Sequence, residues 1–171
     1  RGLSIMKTGA LASIPYLAAF TGVLLSGFVS DYLVRKGHSK EFSRKMPIIL
    51  GLMLSSSVIG ANYVETTGGA IFFLSLSFFG SGLASIAWVF VSLLAPKNMI
   101  GLVGGCFNFI GGLSAVVIPV AVGYLAREGD FRPALVMISG LAITGMLSYL
   151  FLVGKIERIE VDDAPTGDND A

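Results

Sequence analysis

Five apolar stretches, each close to or above the roughly 20 residues needed to cross a bilayer as a helix, constrain this chain more than any other feature. They run over about residues 8–34, 46–64, 70–95, 98–126 and 133–153, and are called spans A to E here. Lipid offers no partner to an open backbone N–H or C=O, so segments at that depth must close their own hydrogen bonds. Runs this long lack the alternation of barrel strands and are expected to be helices. Composition agrees: 54% of the 171 residues are hydrophobic and only 13% are charged. The expected fold class is an all-α, polytopic membrane protein with five transmembrane helices.

Prolines divide the spans. Pro47 and Pro133 are placed to start spans B and E, where a first helical turn needs no N–H partner. Pro96 should end span C, and Pro15 and Pro119 fall inside spans A and D, where kinks are expected. Residues 1–153 read as part of one helical bundle. The remaining "GKIERIEVDDAPTGDNDA", 154–171, is acidic, small and without a core-forming run, and is expected to be a disordered tail. The chain opens "RGLSIMKTG", without a methionine or a signal-peptide pattern, and reads as the C-terminal part of something longer.

Orientation follows from lysine and arginine placement. The loop between A and B, "VRKGHSKEFSRK", carries five basic residues and one acid, whereas the B–C loop holds only Glu65. The D–E loop, "REGDFR", balances two charges of each sign. The A–B loop, the C–D turn "PKN" and the C-terminus are therefore expected in the cytoplasm. A net charge of +1 without a polybasic arm gives no indication of nucleic acid, and one cysteine and one histidine give no metal cluster or disulfide framework. Cys106 reads as a small buried apolar side chain and His38 as a solvated loop residue. No cofactor is expected, and no nucleophile–base set supports an enzyme.

Ionisable residues inside the spans are the usual functional pointers, and here only Asp31 comes near, at the basic end of span A. Gly27, Asp31 and Arg35 recur at intervals of four and share a helix face, with Lys36 following. Either this is a solvated helix end, or Gly27 admits a neighbouring helix and Asp31 forms a latch between helix bundles. In span C, Ser81, Ser85, Trp88 and Ser92 fall on one stripe. In span D, Gly101, Gly104, Asn108, Gly112 and Ala115 make another, whose glycines would permit close helix packing. An unpaired buried amide costs about 2–7 kcal/mol, so Asn108 needs a partner. That partner is a neighbouring helix, or a hydroxyl or carboxylate of a polar substrate. Trp88 is a packing anchor, or a platform for a sugar-like carbon face. Serines that bond back to their own helix carry little weight alone.

Nearly the whole chain resembles the major facilitator superfamily, and within it the anion:cation symporter family on its sugar-acid side. The resemblance rests on "MKTGALASIPYLAAFTGVLLSGFVSDYLVRKG", "MPIILGL", "GANY", "FFGSGLASIAWVFVSLLAP", "IGLVGGCFNFIGGL", "IPVAVGYLA", "PALVMISG" and "LSYLFLVGKIERI". The G-x-x-x-D-x-x-x-R-K pattern matches the superfamily's loop motif. The resemblance implies that spans A to E are helices eight to twelve of a twelve-helix fold, and that an N-terminal half completes it in a bacterial inner membrane. It implies import of a galactonate-like sugar acid by proton symport with alternating access. It places Ser85, Trp88 and Asn108 at the substrate, gives Gly27, Asp31, Arg35 and Lys36 the latch, and puts the proton-binding carboxylates in the other half. Residue 87 is alanine where the galactonate type has threonine. Ala87 and Phe107 would suit a larger or more apolar cargo, so another organic anion (hexuronate, glucarate or an aromatic acid) stays open. So does a non-transporting membrane scaffold.

Overall fold

The computed structural model describes residues 5–126 and 129–154. The expected acidic tail therefore lies, from residue 155 on, outside the described residues. Among the described residues six helices follow one another: α1 (Ile5–Arg35), α2 (Lys40–Ser56), α3 (Thr67–Ala84), α4 (Ala87–Leu94), α5 (Ile100–Leu125) and α6 (Arg132–Phe151). A short 3₁₀ helix, Ser57–Asn62, extends α2. No strand occurs among the described residues. Five stretches are long and apolar enough to cross a membrane: Gly9–Arg35, Lys40–Asn62, Thr67–Leu94, Ile100–Leu125 and Arg132–Phe151.

The helix ends follow local chemistry. At the end of α1, Gly37 takes φ +85°. Its N–H donates to the Val34 carbonyl at 3.0 Å, and the His38 N–H donates to the Leu33 carbonyl at 3.2 Å. This is a Schellman motif, and the left-handed position suits glycine. Ser39 then caps α2 by accepting from the Phe42 N–H at 3.2 Å. The helix accordingly begins a full two turns before Pro47. Pro47 is not its first residue, as the sequence reading had it, but a fully buried residue within it. The side-chain cap at Ser39, not the proline, sets the start. Thr66 caps α3, accepting from the Gly69 N–H at 3.2 Å. Before α6, Asp130 accepts from the Arg132 N–H at 3.0 Å, and Pro133 stands in the first turn as expected.

The packing centres on α3, which lies against α1 on one side and α2 on the other, while α2 also packs on α6. Glycine makes both α3 contacts close. A Cβ on Gly82 would lie 2.2 Å from the Ala19 carbonyl oxygen, and one on Gly22 would lie 2.3 Å from that of Phe79. A Cβ on Gly80 would fall 2.3 Å from the Gly51 oxygen, and one on Gly51 would fall 2.5 Å from the Gly80 oxygen. Lipid tails are as apolar as leucine, so helices in a membrane associate through close backbone approach and interhelical hydrogen bonds. Both occur here. The Ser77 hydroxyl donates to the Ser55 carbonyl at 2.8 Å. Ser55 Oγ lies 3.0 Å from the Ser77 carbonyl oxygen and 3.3 Å from Ser81 Oγ. On the other side of α2, the Ser139 hydroxyl of α6 donates to the Ser56 carbonyl at 3.0 Å. A small apolar cluster of Ile48, Ile86 and Phe90 fills the space between α2, α4 and α6, with Tyr149 edge-on to Phe90 at 5.9 Å.

Candidate functional site

Span C, expected as one helix, is broken. The α-helical bonding stops at Ala84 and resumes at Ala87. Across the break the bonds tighten to three-residue turns. The Ser85 N–H donates to Gly82 O at 3.1 Å, Trp88 N–H to Ser85 O at 3.2 Å, and Val89 N–H to Ile86 O at 2.9 Å. The local sequence, "GSGLASIA", favours this: two glycines and two serines in six residues supply little helix propensity, and Gly/Ser pairs are common sites of helix distortion. Irregular backbone at membrane depth is tolerated where protein buries it or where it lines a cavity. Ile86 is buried beside the break, and Ser85 is half-buried.

The break divides the expected stripe of Ser81, Ser85, Trp88 and Ser92. Ser81 lies on the α2 side, beside Ser55. Beyond the break, Trp88 on α4 is 50% exposed and meets the Phe107 ring of α5 edge-to-face, with centroids 4.9 Å apart. Ser92 donates back to the Val89 carbonyl at 2.9 Å, the local bond expected of a serine in a membrane helix. The structure therefore brings Ser85 and Trp88 together across one turn. Asn108 follows Phe107 in α5, about 100° round the helix from the face that meets Trp88.

Asn108 is exposed and its side-chain amide makes no hydrogen bond among the described residues. The packing bond to a neighbouring helix, one of its two expected partners, is not found there. The glycines around it behave differently from expectation as well. Gly101, Gly105, Gly111 and Gly112 have open space where a Cβ would stand, and Gly104 meets only Val91, at 3.6 Å. The span D glycines therefore mediate no close helix approach among the described residues. α5 is exposed along its length and touches α4 and α6 sparsely. Cys106, read as buried, is exposed on α5. The close-packing residues are instead Gly22, Gly51, Gly80 and Gly82. Sequence reasoning passed over them although G51-x-x-x-S55 in α2 and S77-x-x-x-S81 in α3 carried the small-residue signal.

At the basic end of α1, Asp31 and Arg35 line a cleft of about 440 Å³ with Phe28, Val29 and Tyr32. Both charged side chains are exposed, and no ion pair joins them among the described residues. Lys36 places its ammonium over the Tyr32 ring, 4.8 Å from the centroid. Gly27 faces open space, so the expected approach of a neighbouring helix there is not found among the described residues. His38 stacks on Phe42 at 5.7 Å.

Five bilayer-length apolar helices clasped by glycine and serine contacts make this an integral, polytopic membrane protein. No protein-family model matches the chain. It is 52% identical over 159 residues to a D-galactonate transporter of Escherichia coli, an alignment covering 93% of this chain and 37% of that relative. It is 43% identical over 162 residues to a probable galactarate/D-glucarate transporter of Escherichia coli, covering 94% of this chain and 36% of the relative. A hexuronate transporter of Bacillus subtilis is 33% identical over 161 residues, 91% of this chain and 38% of the relative. The chain is thus a homologue of bacterial sugar-acid transporters, consistent with the major facilitator superfamily, and it spans little more than a third of their length.

Proposed function

We propose that this chain forms part of a secondary active transporter that imports a galactonate-like sugar acid by proton symport with alternating access. The observation that carries the proposal is Asn108: an exposed side-chain amide without a partner among the described residues, next in the chain to the Phe107 that meets Trp88, in a chain homologous to sugar-acid transporters. Asn108 offers two donors and an acceptor without charge, a set that matches vicinal hydroxyls. The half-exposed Trp88 ring gives the carbon face of a sugar acid a flat apolar wall, as aromatic rings do at ligand sites. Ser85, one turn away at the helix break, adds a hydroxyl. In this reading Asp31, Arg35 and Lys36 stabilise the outward-open state from the cytoplasmic side, where the positive-inside rule places their loop. The C-terminus faces the cytoplasm of a bacterial inner membrane. The proton-binding carboxylates and the rest of the cavity come from a further part of the protein.

A second reading changes the cargo. The galactarate/D-glucarate relative lies only nine points of identity below the galactonate one (52 − 43), and Ala87 precedes Trp88 in the chain, packed against the Ile48–Ile86–Phe90 cluster. A diacid or another organic anion fits the same residues. Uptake in proteoliposomes of the full-length protein, with and without an inward proton gradient, tests both. Gradient-driven accumulation of labelled D-galactonate, lost in Asn108→Ala, is the expected result. Unchanged uptake by Asn108→Ala removes the site assignment, and uptake of glucarate in place of galactonate selects the second reading. A scaffold would accumulate neither and would gain no stability from either ligand.

A further inference from the structure

We propose that the groove between the start of α2 and the end of α6 is a binding site for an anionic phospholipid. The groove encloses about 450 Å³ and is lined by Phe42, Met46, Leu50 and Met53 of α2 together with Tyr149 and Leu150 of α6. The α2 residues fall at the three- and four-residue spacing of a single helix face. From Phe42 to Met53 this face rises about 16 Å at about 1.5 Å per residue, roughly half the 30 Å hydrocarbon thickness. The groove therefore has the length of one acyl chain in one leaflet, and none of the described residues fills it.

Its basic end supplies the headgroup chemistry. Lys45 lines the groove there, and its ammonium donates to the Val153 carbonyl at 2.7 Å and to the Gly154 carbonyl. Those two bonds tie the segment that follows α6 to α2 and leave a third N–H without a partner among the described residues. His38 lies over Phe42, another groove residue, and the segment 34–45 carries five basic residues against Glu41 alone. A basic pocket between helices at the membrane surface selects a phosphate-bearing headgroup over a neutral one. Charge and length together select a lipid with one net negative charge. A zwitterionic lipid would meet the same groove without the electrostatic gain. This inference does not depend on what the protein carries.

Native mass spectrometry of the full-length protein, purified with equal amounts of phosphatidylglycerol and phosphatidylcholine, is the test. The anionic lipid should be retained about five-fold more, the factor one basic residue contributes at a charged membrane surface. Lys45→Gln keeps an N–H donor for the Val153 and Gly154 carbonyls but removes the charge, and should bring the two lipids to within about two-fold of each other. Leu50→Trp fills the groove without touching any charge, and should lower retention of both. Equal retention by the unaltered protein, or an undiminished preference in Lys45→Gln, overturns the proposal. So does full retention in Leu50→Trp, which decides the matter alone if Lys45→Gln fails to fold.

Discussion

Substituting Gly80 by alanine tests the packing at its tightest point. The added Cβ would stand 2.3 Å from the Gly51 carbonyl oxygen, 2.6 Å from the Ser55 nitrogen and 2.8 Å from Leu54 Cβ. An ordinary contact begins near 3.4 Å, so α2 must retreat from α3 by about 1.1 Å (3.4 − 2.3). Two of the obstructing atoms belong to backbone, so no rotamer change relieves the clash. The same retreat would stretch the Ser77-to-Ser55 bond from 2.8 Å to about 3.9 Å, and its counterpart from 3.0 Å to about 4.1 Å, beyond hydrogen-bonding range. Interhelical bonds of this kind average about 0.6 kcal/mol in membranes, so two lost bonds cost about 1.2 kcal/mol. Overpacking adds about 1–3 kcal/mol. The expected destabilisation is about 2–4 kcal/mol, large against the small net stability of most proteins. Gly140→Ala on α6 is the reference, because a Cβ there meets open space. Its effect should be neutral, or stabilising by up to about 1 kcal/mol through helix propensity. Unfolding titrations of the full-length protein in mixed detergent micelles, followed by circular dichroism, give both free energies. Equal values for Gly80→Ala and Gly140→Ala would refute the close α2–α3 contact.

Four further outcomes are expected, the first three from the same measurements. Gly82→Ala should destabilise as Gly80→Ala does, because its Cβ would lie 2.2 Å from the Ala19 oxygen, whereas Gly27→Ala should not. Ser55→Ala and Ser77→Ala should each cost about 0.6 kcal/mol, and no more than about 1.7 kcal/mol, with a double-mutant cycle showing positive coupling through the shared clasp. Ser39→Ala should cost about 1 kcal/mol by removing the α2 cap, and Ser39→Asp should keep most of that stability. Phe107→Leu should leave folding nearly unchanged and shift the emission of Trp88, the only tryptophan in this chain, because the edge-to-face partner is removed.

The five spans were legible because lipid leaves the backbone no alternative to helix, so length and apolarity alone fix the element type. The starts of helices were less legible where two signals competed. At "HSKEFSRKMP" the start was expected at the proline, and Ser39, which the sequence reading passed over, sets it because its hydroxyl satisfies an N–H that would otherwise be unpaired. The break at Ser85–Ile86 was hidden by the apolarity around it, which measures preference for lipid and says nothing of continuity. The glycines were misassigned for a related reason. A glycine stripe shows that a helix can be approached closely, not that a partner is present. Gly51, Gly80 and Gly82 have partners on neighbouring helices of this chain, while Gly105, Gly111 and Gly112 have none among the described residues.

That partition bears on the site. α3 is clasped on two faces by glycine contacts and serine hydrogen bonds, so the segment leading to Ser85 is held by α1 and α2. α4 is anchored through Ile86 and Phe90 into the cluster with Ile48 and Tyr149. These contacts lie on the opposite side of the short helix from the exposed Trp88. The tryptophan is therefore presented from a packed support and still leaves half its surface free. Asn108 has no such support among the described residues: it stands on α5, a helix with no buried residue, whose Phe107 meets Trp88. A substrate bridging Trp88 and Asn108 would thus join the best-anchored part of the bundle to the least-anchored. If it does, saturating sugar acid should protect the α5 amides of the full-length protein from hydrogen exchange more than those of α3. Equal protection of the two helices would show that the ligand does not bridge them.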